Sequence, residues 1–393
     1  MTEQHFMSRK AAIAGIGATE FSKNSGRSEM QLAAEAIKGA LDDCGLSMKD
    51  VDGMVSFSMD NNWEITLQTM LGGKDLKFFA RTEYGGGAAC GPLVHATTAI
   101  ASGLCDVVVY YRALNERSGY RFGNGQLLNN EPTNPNIIHF SHYFPYGFMT
   151  PAAWIAMSAR RYMHEYGATE EDFGRIAVSM RDFAATNPAA FFYQKPITLE
   201  DHANSRMIAD PVRLLDCCQE SDGAVAFVIC SAERAKDLKQ TPALIAGARQ
   251  AATPDTQMMT PYYGDTITGV PEMDVAAKEL YQMAGLTPDD IDVACLYDHF
   301  SPWILPQLEA FGFCEVGEAP DFVRAGHINR GGKLPVNPHG GQLGEAYIHG
   351  LNGIAEGVRQ IRGSSVNQQG DVDHVLVTAA PGVPNGCAIL ERG

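Results

Sequence analysis

Ala36…Gly45-Leu46…Asp50-Val51-Asp52 recurs in the second half of the chain as Ala276…Gly285-Leu286…Asp290-Ile291-Asp292. In each copy a helical run ends at a glycine, passes through an acidic turn and enters an apolar segment. Glycine stops a helix because the residue after the last turn commonly adopts positive φ. A repeat that falls at the same place in two helix–turn–strand units points to a duplicated α/β domain. Halves of roughly two hundred residues fit the usual domain range. The boundary expected is 1–240 against 241–393, with a loop insertion over about 113–215 in the first half.

Working outward, Ala11–Ala18 (AAIAGIGA) reads as a buried first strand, and Ser28 as the N-cap of a helix over Glu29–Cys44. Val51–Phe57 reads as a strand, Trp63–Leu71 and Leu93–Ser102 as helices, and Asp106–Tyr111 (DVVVYY) as a short buried strand. Ala152–Tyr166 and Thr169–Thr186 return to helical spacing, and Val225–Cys230 and Ala243–Ala251 to strands. Strands alternating with helices predict mostly parallel sheets with helices on their faces, and ligands beyond the carboxyl ends of strands. Asn115–Pro151 breaks the rhythm: it is rich in Gly, Asn and Pro, with Phe140, Tyr143, Phe144, Tyr146 and Phe148 close together. Its length marks it as a candidate binding loop.

With 393 residues and 45% hydrophobic content, the chain can bury a sizeable core. Its 30 basic and 46 acidic residues leave a formal charge of −16, which argues against nucleic acid as partner. No apolar run reaches membrane-spanning length, and Met1–Lys10 lacks the apolar core of a signal peptide, so a cytoplasmic location is expected. The 9 cysteines form no CxxC pair and the 11 histidines no HxxxH pair, so no metal is expected.

Cys295–Gly350 carries the chemistry. Tyr297-Asp298-His299 and Glu345-Ala346-Tyr347-Ile348-His349 each set a tyrosine beside a histidine and an acid. Between them, Val336-Asn337-Pro338-His339-Gly340-Gly341 must be a tight turn, because Pro338 lacks a backbone donor and the glycines tolerate positive φ. Apolar spacing from Glu345 to Ala355 predicts a helix with Tyr347 near its N-terminus, where backbone N–H groups favour negative charge.

The duplicated halves, Ser221-Asp222-Gly223-Ala224 before a strand, and the Asn337-Pro338…Gly340-Gly341 turn together resemble the thiolase superfamily over essentially the whole chain. The nearest resemblance is to the sterol-carrier-type, lipid-transfer-like members. It implies a thiolase fold with duplicated αβα halves in a five-layer αβαβα arrangement, a homodimer, and a CoA thioester bound between the halves. In register with that family, the nucleophilic cysteine falls on Gly86, the two acid–base histidines on Tyr297 and Tyr347, and the late cysteine within Ala379–Gly386, which has none. Cys90 lies out of register.

The two tyrosines, the triple glycine Gly85-Gly86-Gly87 and the run Asn115-Glu116-Arg117-Ser118-Gly119 resemble the thiolase-like steroid side-chain aldolases. That resemblance implies retro-aldol cleavage of a 17-hydroxy steroid acyl-CoA (sterol or bile acid) to a 17-keto steroid and propionyl-CoA or acetyl-CoA. It implies no cofactor beyond the CoA of the substrate, and a separate small OB-fold acyl-CoA-binding partner. Tyr347 is then expected to be the base for the hydroxyl and Tyr297 to orient it or protonate the enolate, although the roles can be exchanged. His299 and His349 are auxiliary candidates, Asp298 and Glu345 capping residues, and Gly85, Gly86 and Gly87 a source of backbone N–H groups and space. The competing readings are a Cys90-dependent 3-ketoacyl-CoA thiolase and a non-catalytic sterol or acyl-CoA carrier.

Overall fold

A computed structural model describes residues 5–57, 60–82, 89–119, 121, 141–254, 266–379 and 385–393. Nine strands are named here in chain order: β1 (Ala11–Ala18), β2 (Gly53–Phe57), β3 (Phe78–Thr82), β4 (Val107–Asn115), β5 (Asp222–Ser231), β6 (Ala243–Ala251), β7 (Val293–Cys295), β8 (His374–Thr378) and β9 (Asn385–Arg392). They form a 9-stranded sheet in the order β3-β2-β4-β5-β1-β6-β9-β8-β7. The principal helices are α1 (Glu29–Cys44), α2 (Glu64–Met70), α3 (Gly91–Ala101), α4 (Pro151–Tyr166), α5 (Glu170–Thr186), α6 (Pro271–Ala284), α7 (Ile304–Ala310) and α8 (Leu351–Arg362).

The halves repeat in space. β1, α1 and β2 have counterparts in β6, α6 and β7, and the ladder β2–β4–β5–β1 is matched by β7–β8–β9–β6 with the same sequence of parallel and antiparallel pairings. The two sets meet through the short β1–β6 ladder. The expectation of mostly parallel sheets is wrong: only β2–β3, β2–β4 and β7–β8 are parallel, and the remaining ladders are antiparallel. Each half begins with βαβ crossovers but closes by running its last strand back antiparallel between the first and the crossover pair. Strand–helix alternation, read alone, does not reveal that return.

Three apolar clusters order the layers. One packs α1 against the outer face of the first half through Leu32, Ile37 and Leu41. A second holds α3 and α8 between both sets of strands, with Leu93, Ala96, Leu351 and Val358 in it. The third packs α4, α5, α6 and α7 on the outer face of the second half. The sequence of layers is therefore helix, sheet, helix, sheet, helix. The caps match the sequence: the Ser28 hydroxyl accepts from the Gln31 N–H, and α1 stops at Gly45. Apart from Arg121, residues 120–140 of the long insertion, Phe140 among them, lie outside the described residues. Of its aromatic residues that are described, Tyr143 is buried and Tyr146 lies open to solvent.

Candidate active site

Tyr297 leaves β7 and is fixed at its backbone. Its N–H donates to Thr378 Oγ1 (2.9 Å), its carbonyl accepts from Gln307 Nε2 (2.8 Å), and Thr378 in turn donates to Gln307 (2.7 Å). The Asn337–Gly341 turn is tied to the same strand end: Asn337 N donates to Ala294 O (2.9 Å) and its side-chain amide to Leu296 O (2.8 Å). Asp298 then accepts from the N–H groups of Gln342 (2.7 Å) and Leu343 (3.3 Å). Gly341 sits at φ 64°, and a Cβ there would stand 1.9 Å from Asp298 Oδ2, so only glycine allows this carboxylate to close the turn. Glu345 accepts from the Asn187 and Asn352 amides at 3.0 and 3.1 Å. Both acids cap and brace, as the sequence suggests. Burial lifts each carboxyl to about 7.

Tyr347 is not at a helix N-terminus. A short turn of helix ends at Gly344, Tyr347 runs alongside Glu220 in an isolated bridge, and α8 begins only at Leu351. His349 at φ 49° and Gly350 at φ 89° turn the chain between Tyr347 and that helix. The departure from the expectation has a packing reason: Ala346 and Ile348 are buried in the core between the halves, which an extended segment satisfies as well as a helix.

These segments bring the two phenols together, with Tyr297 Oη and Tyr347 Oη 3.1 Å apart. The rings meet edge to face, His299 lies edge-on to Tyr297 (5.0 Å between centroids), and His349 lies over Tyr347 (4.5 Å). Tyr297 is buried to 2% exposure, whereas Tyr347 is only half-buried and presents the outward side of the pair. Burial pushes both phenols well above their ordinary value near 10, and the Glu116 charge adds to this. A standing tyrosinate at pH 7 would therefore cost at least ~4 kcal/mol. Neither phenol is held below its ordinary value, so either must pass a proton on as it takes one.

The first half supplies residues that the sequence did not single out for roles. Arg112, on β4, is fully buried, lies over the Phe57 ring (5.1 Å) and donates from Nη2 to His349 Nδ1 (2.7 Å). A guanidinium only donates, so His349 is the neutral tautomer with its proton on Nε2. Burial and Arg112 hold His349 far below its usual value, and burial lowers His299 to about 3. Neither is a cation at neutral pH. Glu116, just beyond β4, is 2% exposed and places Oε2 4.0 Å from His349 Nδ1. Cys218 donates its N–H to His299 O (2.8 Å), and its buried thiol is pushed far up, with Glu116 adding to the shift. The only earlier sign of these residues was Glu116's place in the motif shared with the aldolases.

Gly85, Gly86 and Gly87 lie outside the described residues. Cys90 is fully buried at the start of α3, its thiol raised by burial and within 3.9 Å of Val377 O, the environment of an inert core residue. Among the described residues no group of three or more His, Cys, Asp or Glu is placed to hold a metal. A separate groove of about 620 Å³, lined in part by Phe148, Arg160, His164 and Asp210, contains none of the residues of this cluster.

Residues 256–390 match the family described as thiolase C-terminal domain-like. The chain is 60% identical to the steroid side-chain-cleaving aldolase of Thermomonospora curvata, over 97% of each chain. It is 57% identical to the 17-hydroxy-3-oxo-4-pregnene-20-carboxyl-CoA lyase of Mycobacterium tuberculosis, over 98% of this chain and 100% of that one. The chain belongs to the steroid side-chain-cleaving aldolases. Among solved structures, the Ltp2-ChsH2(DUF35) aldolase superposes with a TM-score of 0.95 at 57% identity, covering 99% of both chains. As a member of this aldolase family the chain has the thiolase fold and is a carbon–carbon lyase rather than a thiolase. No helix among the described residues is long and apolar enough to cross a membrane.

Proposed function

We propose that this aldolase cleaves the side chain of a 17-hydroxy steroid acyl-CoA through the Tyr297–Tyr347 pair, giving a 17-keto steroid and propionyl-CoA or acetyl-CoA. The observation that carries this is the 3.1 Å contact between two phenols at the positions where a thiolase keeps its histidines. Retro-aldol cleavage needs a proton taken from the hydroxyl and hydrogen bonds for the departing thioester enolate, and it needs no covalent intermediate. Tyr347, on the outward side, meets the hydroxyl, and Tyr297 backs it. The proton moves through the pair in one motion, which spares the cost of a free tyrosinate. His349 and His299 orient the two rings as neutral partners, and Gly85–Gly87 supply N–H groups to the thioester oxygen. The substrate class follows the names of the two relatives, which are near 60% identical over nearly the full chain.

The reading extends to assembly. β3 is an edge strand with β2 on one side only, and it exposes Phe79 (60%), while the segment leading to it exposes Trp63, Ile65 and Met70. A second copy of the chain paired along this edge would cover these side chains and close the edge. A separate small OB-fold acyl-CoA-binding protein completes the enzyme, as the composite name of the solved aldolase supports. We divide the chain at 240/241, with the insertion over about 113–215. We place the enzyme in the cytoplasm, where its nine free cysteines stay reduced.

Product analysis tests the function. The protein is incubated, with and without the partner, with a 17-hydroxy steroid acyl-CoA, and the 17-ketone and short acyl-CoA are sought by mass spectrometry. The aldolase reading expects both products without added CoA. Products that require free CoA and vanish in Cys90→Ala would establish a thiolase instead. Tight binding without turnover would establish a carrier.

A further inference from the structure

The function proposed above leaves the hydroxyl proton without a destination. Both phenols are poor bases, and the neutral imidazoles are buried where a positive charge is disfavoured. Asp298 and Glu345 have their oxygens committed to N–H donors of the scaffold. Glu116 differs. It is nearly fully buried, its Oε2 has no hydrogen-bond partner among the described residues, and it lies 4.0 Å from His349 Nδ1. A buried carboxyl oxygen left without a partner is destabilising unless it serves a purpose.

We propose that Glu116 is the proton store of the reaction: it receives the hydroxyl proton through the Tyr347–Tyr297 pair and returns it by the same route to the enolate carbon. Arg112 and Lys23 are the cations that act on it; Glu220 and Asp222 are the nearby carboxylates. His349 faces it from the turn before α8, and Tyr297, Tyr347 and Cys218 feel its charge. The balance of these groups, dominated by burial, lifts its carboxyl to about 8, where proton uptake and release are both easy near neutral pH. In the forward step Tyr347 takes the hydroxyl proton as a proton passes on to Glu116. The O–H electron pair becomes the second bond of the ketone, and the pair of the broken carbon–carbon bond passes into the thioester enolate. A proton then passes back from Glu116 through the same pair, and Tyr347 delivers one to the α-carbon, yielding the acyl-CoA. Atoms and electrons balance with no further reactant. Glu116 acts through the tyrosines and does not touch the substrate.

The inference rests on the aldolase reading, and the test separates the two. Steady-state cleavage of the 17-hydroxy steroid acyl-CoA by the complete enzyme is measured from pH 6 to 9.5 for wild type, Glu116→Gln and Glu116→Asp. Alongside, infrared difference spectra of the substrate-free wild type against Glu116→Gln are recorded over the same range. Wild-type kcat should rise with pH to a plateau with a midpoint near 8. Glu116→Gln, the same shape without a titrating oxygen, should lose about hundred-fold or more in kcat with KM little changed, and lose the limb. Glu116→Asp should keep a limb with a moved midpoint. The difference spectrum should show a protonated carboxyl giving way to carboxylate near pH 8. A Glu116→Gln enzyme within threefold of wild type, or one that is slow but keeps the limb, overturns the inference, as does a spectrum with no such band. A wild type that forms no ketone overturns the function instead, and the spectrum still judges Glu116.

Discussion

The two halves share a topology but divide the work. In the second half, the loops after β7 and before α8 carry neutral groups, two phenols and two uncharged imidazoles, of which Tyr347 is the outermost. In the first half, the end of β4 delivers two ionisable groups, Arg112 and Glu116, to the same cluster. The loop ahead of α3, where a thiolase keeps its nucleophile, falls outside the described residues, and the nearby Cys90 is sealed in the core. In the proposed mechanism the second half carries the reactive groups and the first half supports them.

The sharpest way to break this comparison is to remove one phenol. Tyr347→Phe should lower kcat by about 10³-fold and Tyr297→Phe by about 10²-fold or more, with ligand binding kept, as read by turnover and by calorimetric titration of a product. If either variant kept wild-type kcat, the division of labour drawn above would be wrong. Next in size is Gly341→Ala. Its Cβ would collide with Asp298 in a backbone held at φ 64°, so a loss of roughly 3 kcal/mol or more in unfolding free energy is expected by denaturant titration.

A smaller effect concerns pH. The folded carboxyls of Asp298 and Glu345 are raised to about 7 and that of Glu116 to about 8, so between pH 6.5 and 8 the folded chain holds protons the unfolded chain has released. Stability must therefore fall as pH rises through that window. The buried histidines oppose this most strongly below pH 6.5 and fade above it, because the unfolded chain takes up protons that His299 and His339, held near 3, refuse. Melting curves should show a loss of roughly 1–2 kcal/mol between pH 6.5 and 8, reduced in Glu345→Gln. The smallest effect is expected for Cys90→Ala: unchanged kcat, no sensitivity to thiol alkylation, and a stability loss of about 1 kcal/mol.

The fold was legible where chemistry is local. Ser28 and Gly45 bound α1, and the repeated helix–turn–strand unit gave the duplication. The tyrosine pair was legible through resemblance, because two substitutions at once at acid–base positions are a specific signal. β3 was not read, since Phe78-Phe79-Ala80-Arg81-Thr82 is short, lies at an edge and is buried only at Thr82. The helix expected at Tyr347 failed because Ala346, Ile348 and Leu351 fit the core with either period, and the positive φ of His349 is a tertiary constraint. Glu116 carried no mark of burial: an acid after a strand is ordinarily solvated, and only the closing of the second half over β4 makes it otherwise.

The contact between Tyr297 and Tyr347 also sets a sense of direction. Each phenol has one hydrogen, and at 3.1 Å one of them lies between the two oxygens, so the other points either outward from Tyr347 or inward from Tyr297. In the proposed mechanism, passing a proton inward flips both O–H bonds, and the pair then points the wrong way for a second event. Because the aldol cleavage gives the proton back to carbon, the return trip flips them again. The wire is rewound by the turnover it serves, and the enzyme begins each cycle facing its next substrate.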